Sequence, residues 1–236
     1  MKIDICLMSC DDNPLYLDFW STVSKVWKVR FNITPILIYF GDKLLNKEFG
    51  QVVYQSPIKN TPLDIQCLWA RYYYTSKFLD KTCIISDIDM FPISRFYFQK
   101  QIEHLDSYSY VHLYSNSGRE MLPSCYHIAL GKTFKDFLEL PDTFEESIQK
   151  ITEFGKDVYR ESSSYWFVDE IYATHLLKAK DIIGLNRPDN SRLDRTNWIQ
   201  PTNKSDLEKY VDSHSVRPYK DYKLNIDTLV DLLCMP

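Results

Sequence analysis

The strongest constraint on the fold of this chain is the alternation of short apolar runs with longer amphipathic segments in its N-terminal half. Four runs favour strands: residues 3–8, 35–40, 51–54 and 82–86. The segments between them carry apolar residues at helical spacing: 14–29, 43–49 and 63–79. Strands that alternate with helices pair into a mostly parallel sheet with right-handed crossovers. This half therefore predicts an α/β fold.

The C-terminal half is less regular. Two segments, 108–114 and 126–130, favour strands. Four segments favour helices: 134–138, 144–154, 165–177 and 226–233. Residues 184–204 are polar, and we expect a loop there. The sequence shows no repeat and no clear linker. We therefore expect one α/β domain with a mixed, mostly parallel sheet flanked by helices.

The composition excludes several classes of protein. With 44% hydrophobic and 25% charged residues among 236, the chain can bury a core of ordinary size. Its net charge of −4 and its scattered Lys and Arg residues argue against a nucleic-acid partner or an anionic membrane surface. No run approaches the ~18 apolar residues of a membrane span. The first residues also lack the apolar core of an export signal.

The positions of the cysteines and the scarcity of glycine motifs argue against further classes of protein. Cys6, Cys67 and Cys83 lie inside apolar elements, which favours free thiols in a reducing compartment over a disulfide scaffold. We therefore expect a cytoplasmic protein without an integral membrane segment. The sequence contains no GxGxxG and no GxxxxGK motif, so Rossmann-type dinucleotide binding and P-loop chemistry lose support.

Two carboxylates follow the apolar strand at 82–86. Asp87 and Asp89 are two residues apart, and such residues on an extended backbone project to the same side. They can converge on one divalent ion, and hard oxygen ligands suit Mg²⁺ or Mn²⁺. The alternative is an acidic turn or a helix cap, since Asp is common in both. Parallel sheets bind ligands at the carboxyl ends of their strands, which favours the metal interpretation.

Three polar residues follow the first strand in the same way. Asp11, Asp12 and Asn13 lie between this strand and the first predicted helix, where Asp and Asn are favoured caps. The same side chains can instead hydrogen-bond a ribose or a base at the sheet edge. The sequence leaves both interpretations open.

A third polar group lies near the C-terminus. His214 can complete a metal site with the two carboxylates, and the planar fork of Arg217 suits a diphosphate. The alternative for a single His is a surface position or a satisfied core position.

These motifs, in this order, resemble those of GT-A-fold glycosyltransferases, most closely family 8, which includes bacterial lipopolysaccharide galactosyltransferases and glycogenin. The resemblance extends from residue 3 to residue 218 and rests on four matches: Asp11-Asp12-Asn13 after the first strand, Ala70-Arg71, Asp87-Ile88-Asp89, and His214 with Arg217 and Pro218. Three departures stand against it. The family's glycine after the His is missing, Arg217 replaces a Lys, and the segment 125–131 lacks the family's Asn.

The resemblance implies roles for these residues. Asp11, Asp12 and Asn13 would contact the nucleotide, and Arg71 would lie near the donor. Asp87, Asp89 and His214 would bind Mn²⁺ (or Mg²⁺), with Asp87 also near the sugar nucleotide. Arg217 would contact the diphosphate.

The implied fold is GT-A, a Rossmann-like sheet in a single domain over residues 1–236. A nucleotide-binding part would cover about 1–92 and an acceptor-binding part about 93–236. The implied reaction moves a sugar from a nucleoside diphosphate donor, with UDP expected, to a glycan or glycoprotein acceptor. A bacterial or viral origin fits, and so does a module of a larger transferase.

Such a transfer has to stabilise the leaving diphosphate, for which the metal would act as a Lewis acid together with Arg217 or Arg71. An inverting enzyme also needs a base for the acceptor hydroxyl. Asp169 is the first candidate and Glu170 the second; the alternative is a solvated helix face. The aromatic residues 165–167 are typical of a sugar-stacking cleft or of core packing.

Two other functions stay open. A phosphatase of the haloacid dehalogenase type also uses Asp-Xaa-Asp at a strand end, although its motif normally follows the first strand. A module that binds a nucleotide sugar or a glycan without turnover is the second alternative. Intact Asp87, Asp89 and His214 argue against it, because a module without catalysis has no need of a metal triad.

Overall fold

A computed structural model describes residues 1–118, 120–162 and 166–235 of the chain. Its centre is a seven-stranded sheet in the order β3-β2-β1-β4-β7-β6-β8. The strands of this sheet are β1 Ile5–Asp11, β2 Thr34–Phe40, β3 Gln51–Tyr54, β4 Thr82–Ile85, β6 Tyr110–Leu113, β7 His127–Leu130 and β8 Ile182–Leu185. β7 pairs antiparallel with β4 and β6, and the other pairs are parallel. The predicted mixed, mostly parallel sheet is confirmed.

A smaller sheet of three short strands stands beside the first. Its strands are β5 Met90–Pro92, β9 Arg192–Asp194 and β10 Asp212–His214, in the order β5-β10-β9. β10 runs antiparallel to β5 and parallel to β9, so His214 is paired with Met90 on one side and with Asp194 on the other. This register brings the residue before β5 and the residue after β9 close to the end of β10.

Helices cover both faces of the large sheet. The α-helices are α1 Pro14–Leu17, α2 Trp20–Lys25, α3 Leu63–Tyr73, α4 Arg95–Phe98, α5 Gly131–Phe137, α6 Phe144–Ser162, α7 Val168–Leu177 and α8 Lys223–Cys234. A π-helical turn, Val26–Arg30, extends α2, and three 3₁₀ turns lie at Tyr74–Lys77, Lys100–Ile102 and Lys204–Leu207. None of the helices within the described ranges is both long and apolar enough to cross a membrane.

The alternation of side chains along β1 divides the core into two layers. Cys6 and Met8 pack into one layer with Trp27, whereas Leu7 packs into the other with Trp69. All five side chains are fully buried. Burial on both faces explains why β1 is an almost continuous apolar run, as is typical of a parallel strand at the centre of an α/β sheet.

Two sequence predictions are wrong. The predicted helix at 43–49 is not helical: Leu45 packs against the core, whereas the neighbouring Leu44 is 93% exposed. The carbonyl of Asn46 instead accepts a hydrogen bond from the Trp20 indole, at 2.7 Å. The predicted loop at 184–204 contains the end of β8 and the whole of β9.

The remaining helix predictions are right in position, with shifted ends. The segment predicted as one helix at 14–29 is split, because α1 ends at Leu17 and α2 begins at Trp20. α6 extends to Ser162, beyond the predicted end at 154. α7 begins at Val168, and Tyr165, the predicted start, lies outside the described residues.

Candidate active site

A cavity of about 610 Å³ opens at the carboxyl ends of β1 and β4, between the large and the small sheet. Its volume lies within the range of small-molecule sites, ≈ 300–1,000 Å³. Apart from Asp12, the predicted site residues all line it: Asp11, Asn13, Arg71, Asp87, Asp89, Asp169, Glu170, His214 and Arg217. Residues far apart in the sequence therefore meet at one sheet edge, as the strand-end rule predicts.

The polar residues after β1 have separate tasks. The Oδ1 atom of Asn13 accepts a hydrogen bond from the Leu15 amide at 3.0 Å and so caps α1. Asp11 accepts one from the Asn13 amide, also at 3.0 Å. Asp12 turns away from the cavity, because its carboxylate binds the Tyr39 hydroxyl and lies 3.1 Å from Lys43 Nζ. Only Asp11 and Asn13 of this motif are placed to meet a ligand in the cavity.

Arg71 lies at the centre of a buried cluster. It projects from α3, its side chain is 6% exposed, and its two terminal nitrogens bind Asp87 and Asp169. The contact from Nη2 to Asp169 Oδ2 is 3.0 Å. Burial alone would lower the pKa of Arg71, but the two carboxylates hold it above its ordinary value. Arg71 is therefore a fixed cation between two anions.

A short segment before β7 completes this Arg71 cluster. Ser124 Oγ donates to Asp169 Oδ2 at 2.7 Å, and the Ser124 amide donates to Glu170 Oε1 at 3.1 Å. The Cys125 thiol donates to Asp87 Oδ2 at 3.0 Å. Burial raises the pKa of this thiol, and the charge of Asp87 raises it further. The thiol therefore stays protonated and serves as a donor to Asp87.

The acids of this cluster titrate differently. Burial would raise the pKa of Asp87, but Arg71 and the Cys125 thiol together hold it below its ordinary value. Burial raises the pKa of Asp169 in spite of Arg71 and Ser124. Burial, assisted by the charge of Asp169, raises the pKa of Glu170 to about 7. Glu170 is thus the acid of this cluster that gains and loses a proton near neutral pH.

Asp89 has a different set of partners. It precedes β5, its side chain is 3% exposed, and its Oδ2 atom faces three cationic or titratable groups. Arg195 Nη1 lies at 3.1 Å, Arg217 Nη1 at 3.4 Å and His214 Nε2 at 3.5 Å from this atom. We call Asp89, Arg195, His214 and Arg217 the Asp89 cluster.

His214 lies between two carboxylates. Its Nε2 atom faces Asp89, and its Nδ1 atom lies 3.5 Å from Asp194 Oδ2, across the pairing of β10 with β9. The other oxygen of Asp194 accepts hydrogen bonds from the amide and the hydroxyl of Thr196, at 2.9 and 2.7 Å. Burial would raise the pKa of Asp194, yet these bonds hold it low. The ionised Asp194 therefore holds the His214 ring at Nδ1, and this orientation directs Nε2 at Asp89.

The donor types suit Mn²⁺ or Mg²⁺, since carboxylate oxygens and an imidazole nitrogen face the same cavity. Asp89 and His214 are already adjacent. Asp87 is 40% exposed, and both of its oxygens are engaged by Arg71 and Cys125. In the described parts of the chain, no three His, Cys, Asp or Glu side chains are arranged as a ready metal site. The residue types therefore suit a divalent ion. For the ion to bind, the guanidinium groups that contact Asp87 and Asp89 have to release carboxylate oxygens.

Aromatic side chains border the cavity on its outer side. Trp166 and Phe167 line it and are 51% and 41% exposed, and Tyr165 lies outside the described residues. His127, in contrast, is fully buried and bonded to the Tyr110 hydroxyl and the Pro123 carbonyl. It is a core residue and does not line the cavity.

Several lining residues were missed by the sequence reasoning. Ser124 and Cys125 follow a proline in an irregular segment, where no periodicity marks them. Arg192, Asp194 and Arg195 lie in the segment predicted as a loop. The sequence carried no strand signal there, because Leu193 has two polar residues on each side.

The structure is similar to those of several glycosyltransferases. It matches the apo form of glycosyltransferase GlyE from Streptococcus pneumoniae TIGR4 with a TM-score of 0.58 and 12% identity, over 100% of this chain and 61% of GlyE. The chain therefore spans less than two thirds of GlyE. A glycosyltransferase involved in the glycosylation of the major capsid of PBCV-1 gives a TM-score of 0.54 at 8% identity, over 95% and 99% of the two chains.

A third similar structure is the galactosyltransferase LgtC in complex with donor and acceptor sugar analogues. It gives a TM-score of 0.56 at 12% identity, over 98% of this chain and 97% of LgtC. No family model and no curated protein sequence matches the chain. At such low identity the comparisons establish the fold: the chain has the GT-A fold of these glycosyltransferases, as the motifs predicted.

Proposed function

We propose that the chain is a metal-dependent glycosyltransferase that moves a sugar from a nucleoside diphosphate donor, with UDP expected, to a glycan acceptor. One observation carries the proposal. In a GT-A fold, the cavity at the strand ends is lined by carboxylates, an imidazole and guanidinium groups, among them Asp87, Asp89, His214, Arg71, Arg195 and Arg217. These are groups that bind a metal and neutralise a diphosphate.

The donor would lie along the carboxyl ends of β1 and β4. Asp11 and Asn13 border this part of the cavity, and their polar atoms suit the hydroxyl groups of a ribose. Asp12, bound to Tyr39 and near Lys43, would support the loop instead of contacting the nucleotide. Arg217 reaches the diphosphate region from the segment after β10.

Asp87, Asp89 and His214 would hold the metal. When bound there, Mn²⁺ or Mg²⁺ supplies Lewis-acid stabilisation of the leaving diphosphate. The protein's own groups supply orientation. Asp194 holds the His214 ring with Nε2 toward Asp89, and Arg71 fixes the Asp87 carboxylate from the other side. Ordered carboxylates lose less conformational freedom when a ligand binds.

The geometry favours Glu170 over Asp169 as proton acceptor. Asp169 is 1% exposed and already accepts hydrogen bonds from Arg71 and Ser124, so we assign it the role of holding the Arg71 side chain in position. Glu170 lines the cavity, and burial raises its pKa to about 7, which matches a base that works near neutral pH. If the reaction inverts configuration, Glu170 is the group to deprotonate the acceptor hydroxyl.

The acceptor would approach past Trp166 and Phe167. Exposed aromatic faces at the rim of a polar cavity bind the apolar face of a sugar ring. A phosphatase of the haloacid dehalogenase type is less well supported, because Asp87 and Asp89 follow β4 and not the first strand, and because the fold is GT-A.

The first experiment measures thermal unfolding with UDP-, GDP- and dTDP-sugars, each with and without Mn²⁺. A ligand that binds the folded state alone raises the Tm by mass action. We expect a UDP-sugar to raise the Tm in Mn²⁺ and to lose this effect after EDTA is added. If no nucleotide sugar shifts the Tm, the proposed function fails.

A second experiment separates turnover from binding alone. Release of UDP from UDP-sugars should be measurable in Mn²⁺ and should be lost in Asp89→Ala. Asp80→Ala is the matched control, because Asp80 is 83% exposed and outside the cavity. Binding without UDP release, on a panel of glycan acceptors, would indicate a nucleotide-sugar-binding module instead. Hydrolysis of p-nitrophenyl phosphate would indicate a phosphatase.

A further inference from the structure

Arg195 has a position that neither the motifs nor the fold assigns. It directly follows β9, lines the cavity and is 28% exposed. Its Nη1 atom donates a hydrogen bond to Asp89 Oδ2 at 3.1 Å. Arg217 Nη1 donates to the same oxygen from the other side, at 3.4 Å. Two guanidinium groups thus share one carboxylate oxygen.

Arg192, within β9, provides a comparison with Arg195. Arg192 holds Asp212 with a two-pronged contact, and Nε lies 2.9 Å from Oδ1. Asp212 is fully buried and both of its oxygens accept from Arg192, so this ion pair is complete without a ligand. Arg195 uses one nitrogen of its fork on Asp89. A guanidinium carries five N–H donors, so the rest of this fork has capacity for a ligand.

Two cations share one carboxylate oxygen. Among the described residues, Asp89 is the one acidic partner within ion-pair distance of either Arg195 or Arg217. Asp194 lies on the other side of His214 and makes no ion pair with either arginine. A diphosphate that meets the remaining N–H donors of these two guanidinium groups would accept charge-assisted hydrogen bonds from them. The two arginines can therefore bind an anion while Asp89 is left to bind a metal.

We propose that Arg195 is a second diphosphate-binding arginine, which neutralises Asp89 until the metal and the diphosphate enter. Asp89 would then be free to hold the metal, and Arg195 would transfer its hydrogen bond to a diphosphate oxygen. No covalent bond changes in this exchange. Metal and diphosphate consequently bind cooperatively, each raising the affinity for the other by the same factor. This inference rests on the proposed function.

Isothermal titration calorimetry on the full chain tests the proposal with MnCl₂, inorganic pyrophosphate and UDP as probes. The measured quantity is the ratio between the Mn²⁺ affinity with saturating pyrophosphate and the Mn²⁺ affinity alone. In Arg195→Met we expect Mn²⁺ alone to bind as tightly as in the wild type or more tightly. Pyrophosphate in Mn²⁺ should bind about tenfold more weakly, since one charge-assisted hydrogen bond is lost. The ratio should therefore fall.

Two further variants control the experiment. Arg195→Lys keeps the charge and should retain most of the ratio. Arg95→Met removes an exposed arginine outside the cavity and should leave the ratio unchanged. Circular dichroism would verify that each variant is folded. An unchanged ratio in Arg195→Met, or weaker binding of Mn²⁺ alone, overturns the inference.

Measurements on the wild type distinguish a failure of the Arg195 inference from a failure of the proposed function. If wild-type protein binds UDP in Mn²⁺ and the ratio in Arg195→Met equals that of the wild type, the inference about Arg195 fails and the proposed function stands. If the wild type binds neither UDP nor pyrophosphate in Mn²⁺, both fail.

Discussion

The two acids of the Asp-Xaa-Asp motif belong to clusters of opposite character. Asp87 belongs to the Arg71 cluster, in which Arg71, Asp169, Ser124 and Cys125 are buried and hold one another through several hydrogen bonds. The Asp89 cluster is looser: its contacts to one oxygen lie at 3.1 to 3.5 Å, and its cations are 23% to 28% exposed. A buried hydrogen-bonded network therefore lies next to a more exposed group of side chains that can exchange partners more easily.

This difference gives a first prediction, with the largest expected effect. Arg71→Met leaves Asp87 and the buried Asp169 without their cation, and breaking a buried pair typically costs about 3–5 kcal/mol of unfolding free energy. Urea denaturation would measure the loss. A change below 1 kcal/mol would show that the Arg71 cluster is not a structural framework.

In the Asp89 cluster the main loss should be of function instead of stability. Asp89→Asn leaves Arg195 and Arg217 partly solvated, so we expect a stability change of only about 1 kcal/mol. The rate of Mn²⁺-dependent UDP release should fall at least about a hundredfold, which corresponds to about 3 kcal/mol. Equal destabilisation by Asp89→Asn and Arg71→Met would abolish the distinction between the clusters.

A third prediction concerns the pH dependence at the border of the Arg71 cluster. The pKa of Glu170 is raised from 4.5 to about 7, so the folded state binds this proton more tightly than the unfolded chain. The resulting stability is fully present below pH 4.5 and is lost as pH rises through about 7.

Glu170→Gln should remove this loss. Above pH 7 the variant should be more stable than the wild type, by about 3 kcal/mol. The rate of transfer in the wild type should rise with pH through about 7, and the rate of the variant should be low and flat. Asp169→Asn should not show the same pH dependence of stability and of transfer rate as Glu170→Gln. Thermal melts and rate measurements from pH 5 to 9 would check both statements.

The smallest effect is expected at the aromatic rim, which belongs to neither cluster. Trp166→Ala should raise the KM for the acceptor about tenfold through lost stacking, and the affinity for UDP should stay unchanged. Phe96→Ala, an exposed aromatic outside the cavity, is the control and should change neither value. A weaker UDP affinity in Trp166→Ala would indicate that Trp166 contacts the donor and not the acceptor.

The strands were predicted from sequence more accurately in the first half of the chain than in the second. The strands of the first half were predicted within a few residues, because buried parallel strands are long apolar runs with polar residues at their ends. The strands of the small sheet have three residues each, too short for a period to show. The helix wrongly predicted at 43–49 had a suitable pattern, but Leu45 packs against the core in a non-helical segment that leaves Leu44 in solvent.

The sequence by itself determined the α/β class, the mostly parallel sheet, and the positions of Asp87 and Asp89 just after the strand β4. These follow from local periodicity and from motifs that depend on neighbours in the chain. Tertiary structure alone decided which side chains share an oxygen atom. Arg195 meets Asp89 across 106 residues, through the pairing of β9 with β10 and of β10 with β5. Such a contact depends on which strands pair with one another across the fold, and local periodicity does not specify the partners of a three-residue strand.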